Sequence, residues 1–389
     1  ADLEEYTSGN VIRRYFKKKD LEKTPQKVDI RIKLDGSRVA EFVQNQCEPL
    51  VQEAVDATIH RENGTFVITP SQTGLTVDQN ATIKTLNEAL AQGLEEPVMI
   101  DAAVTVSEPK VTEEMLGTIQ DVLGTCSTSF SSSGAARSKN LKVGSGKING
   151  TVLLPGETLS GYGAMAPFTL ENGYASAGAY ENGRVVDSVG GGVCQIATTL
   201  YDASLYAELE ITQRQNHSMS VSYVKPSMDA AIAGTYKDIK VTNPYDTPIY
   251  IEAGTSGKTL TFTIYGKETR PANRTIQYVS ETLSVTDPGE TVVQDASLAP
   301  GARVRVQAGH KGIRSRLWKC VYIDGVEQEK TLLYTDTYNA SKAIYHVGPA
   351  APAPAETTTP ETTQVEPTPD QGPKRSEERR VGKECHFEC

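Results

Sequence analysis

Apolar residues recur at helical spacing just after three consecutive glycines, Gly190 to Gly192. Side chains three and four positions apart share one face of a helix, so this run predicts a helix that begins at the glycines. Glycine tolerates sharp turns and lets another chain segment approach closely, which suits the start of such a helix. The predicted apolar face consists of Val193, Ile196, Leu200, Ala203 and Leu205.

Alternating or mostly apolar runs elsewhere predict β-strands. A further helix is predicted from Asp78, a typical N-cap residue, with Ile83, Leu86, Leu90 and Leu94 on its apolar side. Helices and strands therefore alternate irregularly up to about residue 268, and only strands are predicted beyond it. This pattern indicates a multidomain α+β chain with a small all-β C-terminal part. The predicted strands are 28–34, 65–69, 97–100, 219–224, a pair at 238–241 and 248–251, a hairpin at 260–265, 291–293, 303–306, 320–323 and 344–348.

Three stretches rich in glycine or serine interrupt the predicted helices and strands. Residues 125–139 are predicted as a loop by composition. Gly144-Ser145-Gly146 argues against an unbroken helix after that loop, and residues 161–168 contain too much glycine for a regular element. Loops of this kind commonly line substrate clefts.

Length and charge limit the classes of function. The chain has 389 residues, enough for two or three domains with cores of their own. Its net charge of −10 argues against nucleic acid as a partner, because phosphate binding needs a basic face. No apolar run reaches the length of a membrane span, and Ala1 does not open a signal peptide, so we expect a mature or truncated ectodomain.

Six cysteines are spread over the chain without metal-ligand spacing, and no cofactor or metal is predicted. Cys47 and Cys126 could form a disulfide, although sequence does not reveal connectivity. The amino-acid composition of residues 374–389 differs abruptly from that of the preceding segment, and we interpret these residues as non-native. Their two cysteines are therefore left out of the search for a site.

Cys194 is the candidate nucleophile. It falls in the first turn of the predicted helix, where unpaired N–H groups and the helix dipole stabilise a thiolate. His217 follows at the head of a strand-like run and could serve as its base. The alternative is that Cys194 packs as a small core residue, but a core cysteine does not need three glycines before it. Both interpretations remain open at this point.

The segment around these residues resembles the VanW family of cell-wall proteins from Gram-positive bacteria. The resemblance covers about residues 137–268, with the motifs in family order. It implies an L,D-transpeptidase with Cys194 as nucleophile and His217 as the matching histidine. The residues that carry it are Ile148 to Thr151, Pro155 to Ser160, Gly173-Tyr174, Gly190 to Gln195, Thr199 to Tyr201, Asn216 to Ser218 and Asp238 to Lys240.

The group that orients His217 is not fixed by the sequence. Asp229, Asn216 and a backbone carbonyl are all candidates, and Asp229 is favoured because a carboxylate best stabilises an imidazolium. Thr198, Thr199 and Arg214 have either structural or supporting roles. The expected substrate-binding residues are Gly191, Gly192, Val193, Gln195, Ser218 and Tyr223, with Gln195 as an oxyanion or backbone contact.

Both flanks resemble binding domains. With Gly64, Phe66, Ile68 and Gly74, the N-terminal part resembles the peptidoglycan-binding domain that often precedes VanW domains. The C-terminal part resembles the five-glycine domain of bacterial surface proteins, with matching glycines at Gly309, Gly312, Gly325 and Gly348. Trp318 and Tyr322 either stack on sugars or form the core of the C-terminal part. The predicted organisation is 1–124 peptidoglycan-binding α+β region, 125–136 linker, 137–270 VanW domain, 271–348 five-glycine domain, 349–373 disordered Pro/Thr-rich tail and 374–389 non-native tail.

These resemblances lead to one functional hypothesis and one alternative. The first is a monomeric extracellular enzyme of the cell wall that cross-links peptidoglycan stem peptides, with a carboxypeptidase side activity and a membrane anchor missing from this chain. The alternative is a non-catalytic peptidoglycan-binding or accessory glycopeptide-resistance protein. Stem peptides and glycan are the expected partners, without nucleic acid. Fast alkylation of Cys194 at neutral pH would favour the enzyme.

Overall fold

The computed structural model describes residues 7–25, 35–93, 97–181 and 184–350, without the side chains of residues 179–181 and 184–185. The strand predicted at 28–34, Leu94 and both predicted tails beyond residue 350 lie outside the described residues. Within them, one compact unit extends to Glu290 and includes Ala308–Ala343, and the other comprises Thr291–Gln307 and the residues from Ile344. None of the described helices combines the length and apolar character that a membrane span requires.

The N-terminal region mixes short helices and two-stranded sheets. The predicted helix begins at Asp78, whose carboxylate accepts the N–H of Ala81 at 3.0 Å. The strand predicted at 97–100 is wrong, because this segment pairs with no other strand and leaves Met99 92% exposed. The elements are α1 (Val11–Lys23), α2 (Gly36–Cys47), β1 (Thr58–Glu62), β2 (Thr65–Thr69), β3 (Gly74–Val77), α3 (Gln79–Ala91), β4 (Val104–Ser107) and α4 (Glu113–Leu116), with pairs β1–β2 and β3–β4.

The central region packs two helices against antiparallel sheets. A four-stranded sheet has the order β5-β13-β12-β6, a second sheet has the order β10-β11-β7, and β8 and β9 form a hairpin. The bounds are β5 (Asp121–Ser129), α5 (Ala135–Ile148), β6 (Thr151–Leu153), β7 (Thr158–Ser160), α6 (Gly161–Met165), β8 (Ser176–Glu181), β9 (Arg184–Val189), α7 (Val193–Tyr206), β10 (Glu210–Gln213), β11 (Lys240–Thr242), β12 (Ile249–Ser256) and β13 (Thr259–Gly266).

Helix α7 confirms the helix predicted after the glycines and forms the centre of this region. Its apolar face packs into the main core, with Ile196, Leu200 and Ala203 fully buried. Thr198 and Thr199 on its other sides are also buried, and their hydroxyls bond internally. Thr198, for example, exchanges hydrogen bonds of 3.1 Å with the backbone of Ala230. The helix is therefore enclosed on nearly all sides, which holds its first turn rigidly.

Several predictions for this region are wrong. Residues 125–129 belong to β5, not to a loop, because the hydroxyls of Thr125 and Ser127 pair across the sheet with β13. Residues 161–165 form the short helix α6, whose first turn is capped by Ser160. Helix α5 continues through Gly144, where a side chain would collide with Ile196 of α7.

Two strand predictions also fail. Residues 219–224 form no regular strand. The strands predicted as a pair at 238–241 and 248–251 correspond to β11 and β12, which do not pair with each other. Instead, β11 lies between β10 and β7, and β12 lies between β13 and β6.

The C-terminal region is all-β, as predicted. One sheet has the order β14-β17-β18 and belongs to the first compact unit. Trp318 is half-buried, and its indole N–H donates to Glu281 at 2.7 Å, so it is not a closed core residue. The strands are β14 (Arg274–Thr286), β15 (Glu290–Gln294), β16 (Arg303–Gln307), β17 (Gly312–Ile323), β18 (Val326–Tyr338) and β19 (Ala343–Val347), and the second sheet has the order β15-β19-β16.

The four cysteines of the described residues are all free thiols, Cys47 and Cys126 included. The disulfide considered between these two residues is therefore absent from the fold.

Candidate active site

The three glycines before α7 form a tight turn that positions the first residues of the helix. Gly190 and Gly192 have φ angles of +87° and +111°, a left-handed conformation that favours glycine. Gly191 lies against β8, where an added Cβ would be only 2.4 Å from the Ala177 carbonyl oxygen. The buried Asn140 side chain donates to the Gly191 carbonyl at 3.0 Å and fixes the turn. Each glycine thus meets a specific steric demand.

Cys194 lies in the first turn of α7 with its sulfur against a neighbouring backbone. The Ile232 N–H points at Sγ at 3.4 Å, and Sγ is 3.5 Å from the Ile232 carbonyl oxygen. The N–H groups of Val193 and Gln195 donate to the carbonyls of Gly190 and Gly192. The N–H of Cys194, in the first turn of the helix, is therefore a candidate donor for an oxyanion.

His217 is held by a buried carboxylate. Its Nδ1 is 2.6 Å from Oδ2 of Asp229, and its backbone N–H donates to the same oxygen at 2.7 Å. This arrangement leaves Nε2 unengaged by Asp229, and Cys194 is close enough to raise the pKa of the ring. Asn216 instead donates to the carbonyls of His217 and Thr337. Of the three candidates for orienting His217, Asp229 is the one in contact with the ring.

A second layer of buried charge surrounds Asp229. Arg214 donates to Oδ1 of Asp229 at 3.3 Å and forms two bonds of 2.8 and 2.9 Å with Asp336. The Tyr338 hydroxyl also donates to Oδ1 of Asp229. Buried charges are costly unless they are paired and hydrogen-bonded, and here each carboxylate has a cationic partner. Asp336 and Tyr338 belong to β18, so the C-terminal sheet completes the support of His217.

The network shifts the pKa values of the two reacting groups in opposite directions. Burial alone would raise the pKa of Cys194, but the hydrogen bond and charge of His217 outweigh it and lower the pKa. Burial opposes the charged form of His217, yet its bonds to Asp229 and Cys194 raise its pKa to about 9. Both shifts favour the pair of thiolate and imidazolium over the neutral pair, and this is the charge state of an activated cysteine nucleophile.

This difference predicts selective alkylation. Burial and the nearby Asp202 raise the pKa of Cys126 to about 12, so Cys126 stays protonated when Cys194 is ionised. A short pulse of iodoacetamide at pH 7 should modify Cys194 and spare Cys126. Peptide mass mapping measures both sites in one sample. Equal rates at the two cysteines, or reaction of Cys194 only after unfolding, would contradict an activated thiolate.

Cys194 and His217 open onto a cavity of about 370 Å³, which we call the catalytic cavity. Gln195 lines its wall, but its amide donates to Thr128 and Ser129 at the end of β5, so the side chain does not point at an oxyanion. Ser218 does not line this cavity, and its carbonyl instead accepts the N–H of Asn339. The remaining expected contacts line it as well, namely Gly191, Gly192, Val193 and Tyr223.

Sequence reasoning missed three groups at this site. Arg137 lies in the wall of the cavity, within 3.4 Å of where a Cβ of Gly192 would be. The backbone of Ile232 contacts the sulfur, and Tyr338 contacts Asp229. No local pattern marks them, because their roles depend on chain segments that meet only in the fold. Among the described residues, no group of three or more His, Cys, Asp or Glu is placed to hold a metal ion.

Comparison with known proteins identifies three regions. A family model described as "VanW like protein" matches residues 136–265, and one described as "Putative peptidoglycan binding domain" matches residues 1–99. A model of the G5 domain matches residues 277–350. Solved structures similar to the chain include the "IgA1 Protease G5 domain structure", at 22% identity over 20% of this chain and 94% of that one, with a TM-score of 0.15. Another is the "Crystal structure of HP0197-G5", at 24% identity over 19% of this chain and 95% of that one, with a TM-score of 0.14.

Two relatives are similar to part of this chain. The vancomycin B-type resistance protein VanW of Enterococcus faecalis (strain ATCC 700802 / V583) is 25% identical over 173 residues, 42% of this chain and 62% of that protein. The uncharacterized protein YoaR of Bacillus subtilis (strain 168) is 31% identical over 237 residues, 60% of this chain and 76% of that protein. With the glycine turn, Cys194 and His217 inside the segment that the family model matches, this chain belongs to the VanW family.

Proposed function

We propose that this protein is an L,D-transpeptidase of the bacterial cell wall, which cross-links peptidoglycan stem peptides through a thioester on Cys194. The observation that supports it most is the buried chain of contacts from Cys194 through His217 to Asp229 at the wall of an open cavity. A core cysteine has no use for an ionised histidine held by a carboxylate. Nucleophilic catalysis requires this arrangement.

In the first half-reaction, the Cys194 thiolate attacks the carbonyl carbon that precedes the terminal D-alanine of a tetrapeptide stem. The N–H of Cys194 donates to the oxyanion of the tetrahedral intermediate. The imidazolium of His217 transfers its proton to the departing nitrogen. The peptide C–N bond breaks, the S–C bond remains as a thioester, and D-alanine leaves as a neutral amine.

In the second half-reaction, the amine of a neighbouring stem attacks the thioester carbonyl. A C–N bond forms, the C–S bond breaks, and His217 takes a proton from the attacking nitrogen. This restores the thiolate and the imidazolium. If water attacks in place of the amine, the same residues make a carboxypeptidase.

The flanking domains support a location at the cell wall. The peptidoglycan-binding and G5 matches suggest that the protein contacts wall polymer. We therefore propose that it acts at the cell wall outside the membrane, held near its substrate by these domains. Binding at the wall raises the local concentration of stem peptides around the catalytic cavity.

The second candidate is a non-catalytic wall-binding or accessory protein of glycopeptide resistance. The same flanking matches favour it, as does the printed name of the relative from Enterococcus faecalis. It gives no role to the ionised Cys194 and His217, so we rank it second.

Mass spectrometry of muropeptides tests the proposal. Purified protein is incubated with disaccharide tetrapeptides, and the products are separated and weighed. We expect cross-linked dimers, free D-alanine and a transient protein adduct one acyl-tripeptide heavier. Pentapeptide substrates serve as the matched control, because they place a different residue before the leaving group. Tetrapeptides that are retained by the protein but never converted would favour the accessory role.

A further inference from the structure

The edge of strand β18 lies against the segment that carries His217. β18 is the outer strand of the sheet β14-β17-β18, so one of its edges has no partner among the described strands of that sheet. An open strand edge presents unpaired backbone N–H and C=O groups, which folds commonly cover with another segment. Here the covering segment is residues 216–218, whose middle residue is the proposed base. The C-terminal sheet therefore contacts the histidine segment directly.

Two hydrogen bonds hold this segment, one on each side of His217. On one side, the Asn216 side chain donates to the Thr337 carbonyl at 3.0 Å. On the other side, the Asn339 N–H donates to the Ser218 carbonyl at 2.7 Å. The Asn216 amide also donates to the carbonyl of His217 itself at 2.8 Å. We call this set of bonds the histidine clamp, because the backbone of His217 is tied to β18 at both of its ends.

The side chains of the same strand end act on the carboxylate behind the histidine. Asp336 forms its two bonds with Arg214, and the Tyr338 hydroxyl donates to Asp229. Alternate side chains of a strand share one face, so Asp336 and Tyr338 face this network together. Residues 336–339 thus supply four consecutive contacts, two from side chains to the charge network and two from the backbone to the histidine segment.

Contacts farther along the sheet keep this edge in place. Arg274 of β14 forms bonds of 2.6 and 2.8 Å with Glu208, which follows α7. Ser315 of β17 and Ser227 share a buried hydrogen bond of 2.7 Å between their hydroxyls. The sheet is therefore attached to the central region at several points, and the end of β18 is a fixed support for the histidine segment.

We propose that the sheet β14-β17-β18 is a functional part of the catalytic unit, in which Asn216 and the Asn339 N–H position His217 against Cys194. This inference rests on the proposed function. The VanW family model ends at residue 265, whereas β18 lies in the segment that the G5 model matches. The region whose resemblance implies wall binding thus has a second role in the reaction. Asn216 and Asn339 act through His217, so they are positioning residues.

The reactivity of Cys194 reports the position of His217. The bond and charge of His217 lower the pKa of Cys194, and the charge effect weakens with distance. The titratable groups that face the ring are Cys194 and Asp229, and neither is changed when the clamp is removed. A clamp variant with a less reactive Cys194 therefore indicates that the ring has moved, because every charged group around it is still present.

Two variants test the clamp through the pH dependence of Cys194 alkylation by iodoacetamide. Asn339→Pro removes the N–H that holds Ser218, and the residue before a proline favours the extended conformation that a strand already has. Asn216→Ala removes the bond on the other side. We expect each variant to need a higher pH for half-maximal alkylation. With tetrapeptide muropeptides, kcat should fall by about 10- to 100-fold with KM nearly unchanged, since a displacement of about 1 Å can cost about 100-fold in rate.

Two further variants and a stability measurement serve as controls. Asn339→Ala keeps the N–H and should stay much closer to the wild type than Asn339→Pro. Asn273→Ala is matched to Asn216→Ala, because it removes an exposed amide bond of 3.0 Å to Asp324 in the same compact unit. Thermal unfolding of every variant measures any general loss of stability. Lower unfolding temperatures with unchanged pH profiles in both clamp variants would overturn the proposal, as would an equal shift in Asn273→Ala.

Alkylation separates this inference from the proposed function, because it requires no turnover. If the wild type converts no muropeptide, the proposed function fails, and the alkylation profiles still support or refute the clamp. If the wild type is active and both clamp variants match its kcat and its alkylation profile, the clamp is refuted and the proposed function stands. Should Asn339→Pro not fold, the profile of Asn216→Ala decides between the same two results.

Discussion

Replacement of Cys194 by alanine should abolish cross-linking and D-alanine release completely. The thioester requires the sulfur, and no neighbouring group can take its place, since Cys126 has a pKa raised to about 12 by burial and by Asp202. Substrate binding should persist, because the cavity walls are unchanged. The measurement is the product yield from tetrapeptide muropeptides, together with retention of the muropeptide on the variant.

The variant should also remain folded. The sulfur contacts the backbone of Ile232 and interacts with His217, and alanine removes only these interactions. We therefore expect the unfolding temperature to fall by no more than about 4 °C. Cys126→Ala is the matched control, which removes a free thiol outside the cavity and should retain cross-linking. Product formation by Cys194→Ala would refute the mechanism. Inactivity of the wild type as well would favour the accessory role.

Much of the local structure around the nucleophile could be predicted from the neighbouring sequence. The apolar spacing after Gly192 predicted helix α7, and the glycines predicted the turn before it. Both signals are local, because a helix start depends on residues within one or two turns. The position of Cys194 in the first turn follows from them. The Asp78 cap of α3 was predictable for the same reason.

The strand errors arise because pairing partners lie far apart in sequence. Val221 and Tyr223 alternate like strand residues, but they line the cavity and have no neighbouring strand. The segments at β11 and β12 have strand composition, but β11 pairs with β10 and β7 earlier in the chain, whereas β12 pairs with the following strand β13 and with the distant β6. Composition indicates that a segment can be a strand, whereas the register and the partner are tertiary properties.

The support of His217 could be predicted only in part. Asp229 is 12 residues away, and the choice over Asn216 depended on the chemistry of an imidazolium. Asp336 and Tyr338 reach Arg214 and Asp229 across separations of 122 and 109 residues. The resemblance assigned Asp336 and Tyr338 to a separate five-glycine domain. The fold instead brings β18 into the compact unit that contains the nucleophile.

Replacement of Asp229 by asparagine should lower the rate of cross-linking by about 10⁴-fold, the loss seen when a triad carboxylate is neutralised. An amide can still accept from Tyr338 and Arg214, but its NH₂ group would face Nδ1 of His217. The ring then carries its proton on Nε2 and cannot accept one from Cys194. The variant separates the charge of Asp229 from its shape, because asparagine is nearly isosteric.

The pH dependence provides the decisive measurement. Activity of the wild type should fall above about pH 9, as His217 loses the proton that the leaving nitrogen needs. In Asp229→Asn, burial still lowers the pKa of His217, while the carboxylate that raised it is gone. Activity should therefore begin to fall at a lower pH than in the wild type. Alkylation of Cys194 at pH 7 should slow as well, because a neutral His217 no longer lowers the pKa of Cys194.

Two further variants distinguish positioning from a general loss of stability. Tyr338→Phe removes one hydrogen bond to Asp229 but keeps the charge of the carboxylate. It should lower the rate of cross-linking by about 10- to 100-fold. The loss of activity at high pH should shift less than in Asp229→Asn. Asp202→Asn is the matched control. Burial raises the pKa of Asp202, so asparagine mimics the protonated form that burial favours, and the pH profile should not change. If Asp202→Asn shifted the profile as much as Asp229→Asn, the carboxylate at 229 would have no special link to His217.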